Sequence, residues 1–320
     1  MRIAFMGTPD FAAAVLSALM ASDHEVVAVV SQPDRRAGRG NKLTSPPVAR
    51  LAQERGLPLA QPEKVGTRDL RQWLSAREPE LAVVAAFGQI LGPKLLALPP
   101  LGCVNVHASL LPRWRGAAPI QAAILAGDAQ SGVAIMEMER GLDTGPVLRA
   151  EALELHGQET GASLHDRLAE AGARLLLQVL DDLEGHRAQA MAQEESQVTW
   201  APPLSRADGD LDWSEPAPAI ERRIRALHPW PGTRTQVMGR PERLKIHPPA
   251  RPLATLPLPA GSKDISPPGT ILSASAEGVD VAAGEGTIVR LTSLQAPGKR
   301  ALDAGAFLAG YSLKRGDRFQ

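Results

Sequence analysis

Asn105 and His107 are the residues of this chain whose types and spacing first suggest chemistry. They lie in the stretch GCVNVHASLLP, residues 102–112, within a short apolar run. Successive side chains of an extended strand point to opposite faces, so both polar groups would share one face while Val104 and Val106 share the other. An amide and an imidazole aimed at one small polar atom could stabilise an oxyanion and handle a proton. Alternatively, the pair fixes a loop, which is the favoured interpretation of two such residues on their own.

Asp143 is a third candidate, in the glycine-bounded stretch GLDTG that follows another predicted strand. A carboxylate near His107 would orient the imidazole and favour its protonated form. A turn aspartate that bonds its own backbone fits the same stretch. Sequence spacing alone does not bring Asp143 to His107, so both interpretations stay open.

Two further segments could meet a ligand. The stretch MGTPDFA, residues 6–12, is a predicted βα turn, but it lacks the G-x-G-x-x-G pattern of nucleotide cofactor sites. The stretch QPDRRAGRGNKLTSPP, residues 32–47, carries four cations that could grip phosphates. These cations are Arg35, Arg36, Arg39 and Lys42. A solvated surface loop is the alternative for this segment. The single cysteine, Cys103, is interpreted as a buried packing residue and not as a nucleophile.

The elements that must position these residues alternate between strand and helix patterns in the first half of the chain. The predicted strands are RIAFM (2–6), EVVAVVS (25–31), LAVVAA (81–86) and CVNV (103–106). The predicted helices are DFAAAVLSALMA, VARLAQERG and TRDLRQWLSA. This alternation predicts an α/β fold with a Rossmann-like, mostly parallel sheet. Such sheets bind ligands outside the carboxyl ends of their strands, where Asn105 and His107 fall. GVAIMEME (132–139) and PVLRAEALEL (146–155) are predicted to form later strands, as a hairpin at a sheet edge.

The second half of the chain predicts a helix, a linker and a small β domain. Residues 160–184 carry leucine and valine near helical spacing, which predicts a long amphipathic helix that closes the first domain. Residues 187–206 are polar and mixed, and we interpret them as a linker. Short strand patterns after one further helix predict a β-barrel. Residues 248–268 contain seven prolines and are predicted to form an exposed loop rather than a strand.

Composition excludes some classes of protein. The chain has 320 residues and 44% hydrophobic residues, which suits two packed domains and excludes global disorder. Lys+Arg and Asp+Glu are both 35, so the chain has no overall basic charge. Residues 207–320 nevertheless carry 15 basic and 12 acidic side chains, a mild excess that suits an anionic partner. One cysteine and no long apolar run predict a soluble cytoplasmic protein with no membrane association.

The motifs taken together resemble the methionyl-tRNA formyltransferase family, which uses 10-formyltetrahydrofolate. The resemblance covers nearly the whole chain, in order and approximate spacing. It rests on MGTPDFA, QPDRRAGRG, VNVHASLLPRWRGAAPIQ, GLDTGPVL and ALHPWPG. The N-H…SLLP…D set alone is less specific, because other formyltransferases share it. The resemblance implies a catalytic domain at 1–186, a linker at 187–206 and an OB-like, tRNA-binding barrel at 207–320.

By the same resemblance, the chain moves a formyl group from 10-formyltetrahydrofolate to the α-amino group of methionine on initiator tRNA. Asn105, His107 and Asp143 then converge on one catalytic site. The implied folate site comprises Phe87, Gly88, Gln89, Ile90, Leu91, Ser109, Leu110, Leu111 and Pro112. The implied tRNA contacts are Arg35, Arg36, Arg39 and Lys42. The expected partners are initiator methionyl-tRNA and tetrahydrofolate, with no metal and no obligate protein partner.

Three alternatives remain at this stage. A formyltransferase for a nucleotide sugar or a purine precursor would keep the chemistry, but it would not explain ALHPWPG together with residues 33–45. A nicotinamide dehydrogenase would need the missing glycine fingerprint. A noncatalytic RNA-binding module would leave Asn105, His107 and Asp143 without a purpose.

Overall fold

The computed structural model describes residues 1–37, 40, 42–253 and 266–320, and they form two compact units. The first unit comprises Met1–Pro119, Gln130–Glu154 and His165–Pro202. The second unit comprises Ile120–Ala129, Leu155–Leu164 and Pro203–Gln320. Two short internal segments therefore group with the C-terminal residues, whereas the predicted domains run as single stretches. The limits 1–186, 187–206 and 207–320 stay a prediction.

The predicted strands and helices up to Pro202 are present, together with five short strands and three α-helices that the sequence did not predict. The strands are β1 (Arg2–Gly7), β2 (Glu25–Val30), β3 (Arg35–Ala37), β4 (Lys42–Thr44), β5 (Leu59–Ala60), β6 (Leu81–Ala85), β7 (Cys103–His107), β8 (Arg115–Gly116), β9 (Gln130–Glu137), β10 (Val147–Glu154) and β11 (Trp200–Ala201). The helices are α1 (Asp10–Met20), α2 (Pro47–Glu54), α3 (Arg68–Ser75), α4 (Pro93–Leu96), α5 (Pro119–Ala126), α6 (Gly161–Asp181) and α7 (Leu183–Ala188).

Seven strands of the first unit form one sheet in the order β10-β9-β7-β6-β1-β2-β5. The five neighbouring strands β7, β6, β1, β2 and β5 are parallel to one another. Strand β9 pairs antiparallel with β7, and β10 pairs antiparallel with β9 at the edge. Strand β7 is buried along its whole length, as expected for a strand covered on both faces. The predicted mostly parallel α/β sheet and its edge hairpin are therefore confirmed.

Helix α6 fixes which face of β7 carries the polar pair. A Cβ atom at Gly172 would lie 2.9 Å from Cγ1 of Val106 and 3.1 Å from Cγ2 of Val133, so the helix backbone packs closely on the sheet. Since side chains alternate along a strand, this contact directs Asn105 and His107 to the opposite face.

The second unit contains the remaining elements. The helices are α8 (Ala217–Ala226) and α9 (Ala304–Gly310). The strands are β12 (Thr233–Gln236), β13 (Arg243–Leu253), β14 (Ile271–Ser275), β15 (Gly278–Ala282), β16 (Ile288–Gln295) and β17 (Leu302–Asp303). They form an antiparallel sheet in the order β12-β13-β16-β15-β14, and β17 adds to β16.

C-terminal residues join the two edges of this sheet. Phe319 bridges to Val237 just after β12, and Arg318 bridges to Thr270 just before β14. The Phe319 ring also stacks on Trp213 with 5.3 Å between the ring centroids, inside the apolar core of the unit. The strands therefore close into a small antiparallel barrel, as the pattern of short strands predicted.

The prediction of a loop over residues 248–268 is wrong for its first part, because β13 runs through Pro248, Pro249 and Pro252. The register of β13 with β16 shifts between His247 and Ala250, so the first two prolines fall at a bulge. Strand β12 pairs only with residues 243–246 of β13, which leaves 247–253 with β16 as their one partner strand among the described residues. An edge segment tolerates proline because its outer N–H groups have no ladder partner. Residues 254–265 lie outside the described part.

Among the described residues, no helix combines the length and the apolar character that a bilayer crossing requires.

Candidate active site

Asn105 lies at the centre of β7 with 8% of its surface exposed. Within the described residues, its side-chain amide has no hydrogen-bond partner. Buried amides are usually paired, because an unpaired buried polar group costs free energy. Neither polar atom of the Asn105 side chain is among the fully buried unpaired atoms of the described residues, so the amide can be reached from solvent. Its assignment to a catalytic site stays a prediction.

His107 ends β7, and both of its ring nitrogens face oxygen atoms. Its Nε2 atom lies 3.0 Å from the carbonyl oxygen of Trp114, so Nε2 carries the proton that this acceptor needs. Its Nδ1 atom lies 3.8 Å from Oδ2 of Asp143. The structure thus brings together the histidine and the aspartate that spacing alone could not join.

Asp143 reaches His107 by an indirect route. Strand β9 runs antiparallel to β7 and ends with Glu137 beside Val104, three residues before His107. Residues 138–146 must therefore extend back along β7 by about 10 Å, at roughly 3.3 Å per strand residue. The carboxylate is also held from the other side, because the backbone N–H of Gly116 donates to Oδ2 at 2.9 Å.

The serine of the SLLP stretch supports the loop that follows β7. Ser109 is buried, and its hydroxyl donates to the carbonyl of Arg113 at 2.6 Å. This bond closes the turn that carries Leu110, Leu111 and Pro112 away from His107. The assignment of these four residues to a folate site stays a prediction.

The side chains of the stretch after β6 differ in exposure. The Phe87 and Leu91 side chains belong to an apolar core cluster, whereas Ile90 is 79% exposed. Gly88 has a φ of 82°, a left-handed conformation that glycine adopts readily. Oε1 of Gln89 accepts the backbone N–H of Val65 at 3.1 Å, and its buried Nε2 has no partner. The folate assignment of residues 87–91 also stays a prediction.

The predicted basic segment forms a short hairpin of β3 and β4. Arg35, Arg36 and Lys42 are exposed, and Arg35 pairs with Glu63 at 3.3 Å. An exposed ion pair of this kind contributes little stability, so it can open to an anionic partner at small cost. Arg39 lies outside the described residues, and the tRNA role of all four cations stays a prediction.

The sequence interpretation missed three residues beside the site: Arg115, Gln193 and Thr199. We call residues 191–201, which fall in the predicted linker, the clamp segment. Strand β11 within it pairs with β8, directly after the turn that follows His107. Arg115 is 1% exposed, and its Nη2 donates to Glu195 at 2.8 Å. A buried guanidinium needs such a partner, and the WRG stretch was the one available signal of it.

Cys103 at the start of β7 is buried, as predicted. Burial raises the pKa of its thiol to about 12, with a smaller contribution from the charge of Glu137. A thiol with that pKa is protonated at neutral pH and is a poor nucleophile. In the part of the chain that the structure covers, no cluster of three or more His, Cys, Asp or Glu side chains could hold a metal ion.

Comparison with known proteins defines the class. The family described as "Formyl transferase" matches residues 1–180, and "Formyl transferase, C-terminal domain" matches residues 203–312. The chain therefore belongs to the formyl transferase family, as the motifs predicted.

Two relatives that match almost the whole chain are both named methionyl-tRNA formyltransferase. The chain is 48% identical to methionyl-tRNA formyltransferase of Ectopseudomonas mendocina over 315 residues, which covers 98% of this chain and 95% of the relative. It is 46% identical to methionyl-tRNA formyltransferase of Idiomarina loihiensis over 315 residues, covering 98% and 97%.

Solved structures share the fold at low identity. HypX from Aquifex aeolicus in complex with tetrahydrofolic acid matches with a TM-score of 0.62 and 17% identity, over 100% of this chain and 51% of HypX. The chain thus spans about half the length of HypX. WlaRD, a sugar 3N-formyl transferase, matches with a TM-score of 0.62 and 14% identity, over 94% and 99% of the two chains.

Proposed function

We propose that this chain transfers the formyl group of 10-formyltetrahydrofolate to the α-amino group of methionine on initiator tRNA. The product is N-formylmethionyl-tRNA, which serves translation initiation in the cytoplasm. Relatives named methionyl-tRNA formyltransferase match almost the whole chain, which supports this substrate. HypX was solved with tetrahydrofolic acid and WlaRD in the presence of 5-N-formyl-THF, which supports a folate as the formyl donor.

The observation that carries the proposal is the Asn105 amide, which has no hydrogen bond to the described residues, stays accessible from solvent and lies on the strand that also bears His107. A formyl oxygen is a small acceptor that such an amide can bind. As the amine attacks the formyl carbon, negative charge develops on that oxygen, and a prepositioned donor stabilises it.

The proposed reaction is a direct transfer. The amine nitrogen bonds to the formyl carbon, the bond from that carbon to the folate nitrogen breaks, and the proton lost by the amine passes to the folate nitrogen. Asn105 donates to the formyl oxygen throughout. His107 becomes the second donor when its Nε2–H turns from the Trp114 carbonyl to the same oxygen, while Asp143, whose Oδ2 lies 3.8 Å from Nδ1, assists removal of the amine proton. Catalytic contacts of this kind are often long before substrate binds, which suits the 3.8 Å separation.

The folate binds, in this proposal, where the turn after β7 meets the stretch after β6. Backbone groups of Gly88 and of residues 109–112 bind the polar edges of a flat pterin, and the exposed side chain of Ile90 covers an apolar surface of the donor.

The tRNA meets two basic regions. The β3–β4 hairpin carries exposed Arg35, Arg36 and Lys42, and we assign it to the acceptor end together with Arg39. Residues 207–320 carry 15 basic and 12 acidic side chains, and we assign them to the tRNA body. Phosphate contacts release counterions, so affinity for tRNA should fall as salt rises.

The test is a formylation assay with purified protein, 10-formyltetrahydrofolate and methionine-charged initiator tRNA, followed by analysis of the released amino acid. We expect formylmethionine with initiator tRNA and far less with elongator methionyl-tRNA. Parallel reactions offer an amino-sugar nucleotide and a purine-precursor amine. Formylation of either of these, with none of methionyl-tRNA, would reassign the substrate.

A further inference from the structure

The clamp segment contacts both residues that flank the His107 ring. The amide nitrogen of Gln193 donates to the carbonyl oxygens of Asp143 at 2.9 Å and of Gly145 at 2.7 Å. The hydroxyl of Thr199 accepts the backbone N–H of Trp114 at 2.9 Å. Asp143 faces Nδ1 of His107, and the Trp114 carbonyl accepts from Nε2.

The backbone of these two residues is strained. Asp143 has a φ of 52° and Trp114 a φ of 61°, both in the left-handed region that residues with a side chain disfavour. Such conformations persist only where the surroundings determine them, and they often mark functional sites. Each of the two strained residues is bound through its backbone by the clamp segment.

Arg115 fixes the direction of the Gln193 amide. Its Nε donates to Oε1 of Gln193 at 3.0 Å, so the oxygen of that amide faces the guanidinium and the NH₂ group faces the two carbonyls. The same guanidinium is anchored to Glu195. Gln193 is partly buried, whereas Glu194, Glu195 and Ser196 beside it are exposed. The side chain is therefore turned into the protein at this one position.

We propose that Gln193 is a positioning residue of formyl transfer, which holds the backbone of Asp143 and thereby the carboxylate against His107. The inference rests on the proposed function, because it assigns Gln193 to the same catalytic group. Gln193 touches no substrate in this assignment and acts through Asp143.

The test is a double-mutant cycle on formyl transfer, measured at saturating tRNA and folate. We expect Gln193→Ala to lower kcat by up to about a hundredfold, because small misplacements of catalytic groups have effects of that size. KM for each substrate should stay within about twofold of wild type, since no substrate contact is lost. In an Asp143→Asn background the same change should lower kcat by less than about threefold, because residues that act through one another are not additive.

Two further variants test whether the effect of Gln193→Ala comes from loss of the NH₂ donor, from loss of side-chain volume or from disturbance of the segment. Gln193→Glu keeps the size but points a carboxylate oxygen at two carbonyl oxygens, so it should be at least as slow as Gln193→Ala. Gln197→Ala removes an amide of the same segment whose one side-chain partner among the described residues is Glu194, and it should match wild type.

Equal losses from Gln193→Ala in both backgrounds, or an unchanged kcat, would overturn the inference. Full activity of Gln193→Glu would also overturn it, because the donor would then be dispensable. If wild type itself fails to formylate methionyl-tRNA, the proposed function fails instead, and the two failures are distinguished by that first measurement.

Discussion

His107 and Asp143 face each other with 3.8 Å between Nδ1 and Oδ2, although 36 positions separate them in the chain. The separation exceeds a hydrogen bond, and the same Oδ2 already accepts the N–H of Gly116 at 2.9 Å. The backbone N–H of Gly116, and not the imidazole, therefore makes the hydrogen bond that fixes this oxygen. This bond makes the site sensitive to any change that moves the backbone around it.

Replacing His107 by alanine should abolish most transfer without unfolding the protein. In the proposed reaction, His107 is one donor to the formyl oxygen, and loss of one such donor typically raises the barrier by roughly 3 kcal/mol. Single-turnover transfer measures the effect, with thermal unfolding as the check on folding. A near-normal single-turnover rate would contradict the catalytic role of His107.

Asn105→Asp should be more damaging than Asn105→Ala, although it preserves the shape of the side chain. Alanine removes a donor and lowers kcat by about a hundredfold to a thousandfold. Aspartate replaces the donor by an anion that repels the charge developing on the formyl oxygen. The measurement is kcat of the two variants, with stoichiometric folate binding as the control for folding. An aspartate variant faster than the alanine variant would contradict the prediction.

Gly116→Ala should disturb catalysis through geometry alone. A Cβ at Gly116, where φ is 121°, would lie 2.5 Å from the carbonyl oxygen of Ala201, so β8 and β11 would have to separate. That movement breaks the Gly116 bond to Asp143 and should lower kcat. Gly56→Ala is the matched control, because Gly56 has a φ of 65° and nothing within 4 Å of the added atom. Equal kcat values for the two variants would argue against the backbone support of Asp143.

Arg39→Ala should weaken tRNA-dependent turnover far more than folate binding. The resemblance to methionyl-tRNA formyltransferases assigns this residue to the acceptor end, although Arg39 itself lies outside the described residues. KM for tRNA at several salt concentrations, together with folate affinity by fluorescence, separates the two effects. If Arg39 contacts a phosphate, its removal should also make KM for tRNA less dependent on salt. Equal losses for tRNA and folate would argue against a tRNA contact.

Stability at alkaline pH should report the burial of Cys103. Its thiol has a pKa of about 12 in the folded chain and an ordinary value of 9.0. The unfolded chain therefore loses this proton first, so the free energy of unfolding should fall as pH rises from about 9 towards 12. Urea unfolding should give a difference in the free energy of unfolding between wild type and Cys103→Ala that is constant below about pH 8.5. Above that pH, wild type should lose stability relative to the variant. A difference independent of pH would mean that the thiol is less buried than described.

The sequence predicted a buried strand at residues 103–106, and the structure has β7 at Cys103–His107. Alternation along β7 was enough to place Asn105 and His107 on one face, since a strand has one period and little freedom. The prediction could not join Asp143 to them, because β9 is antiparallel and its exit loop doubles back along β7. Gln193 and Thr199 lie 50 and 85 positions from their partners, in a polar segment with no periodicity. Contacts of that kind depend on the packed backbone and leave no local pattern.

In the C-terminal barrel, the sequence predicted a loop where the structure has part of a strand. Seven prolines in 248–268 favoured a loop, yet the strand continues to Leu253, because the second half of β13 pairs with β16 alone among the described strands. Local propensity is a weak guide at a sheet edge, where tertiary pairing decides.

The prolines of β13 also bear on strand pairing between molecules. An exposed strand edge can template pairing with another chain, which leads to aggregation. Pro248, Pro249 and Pro252 have no N–H to offer an incoming strand, and the bulge at the first two interrupts the flat edge that such an addition requires. We therefore expect these prolines to disfavour pairing of this segment with a strand of another molecule.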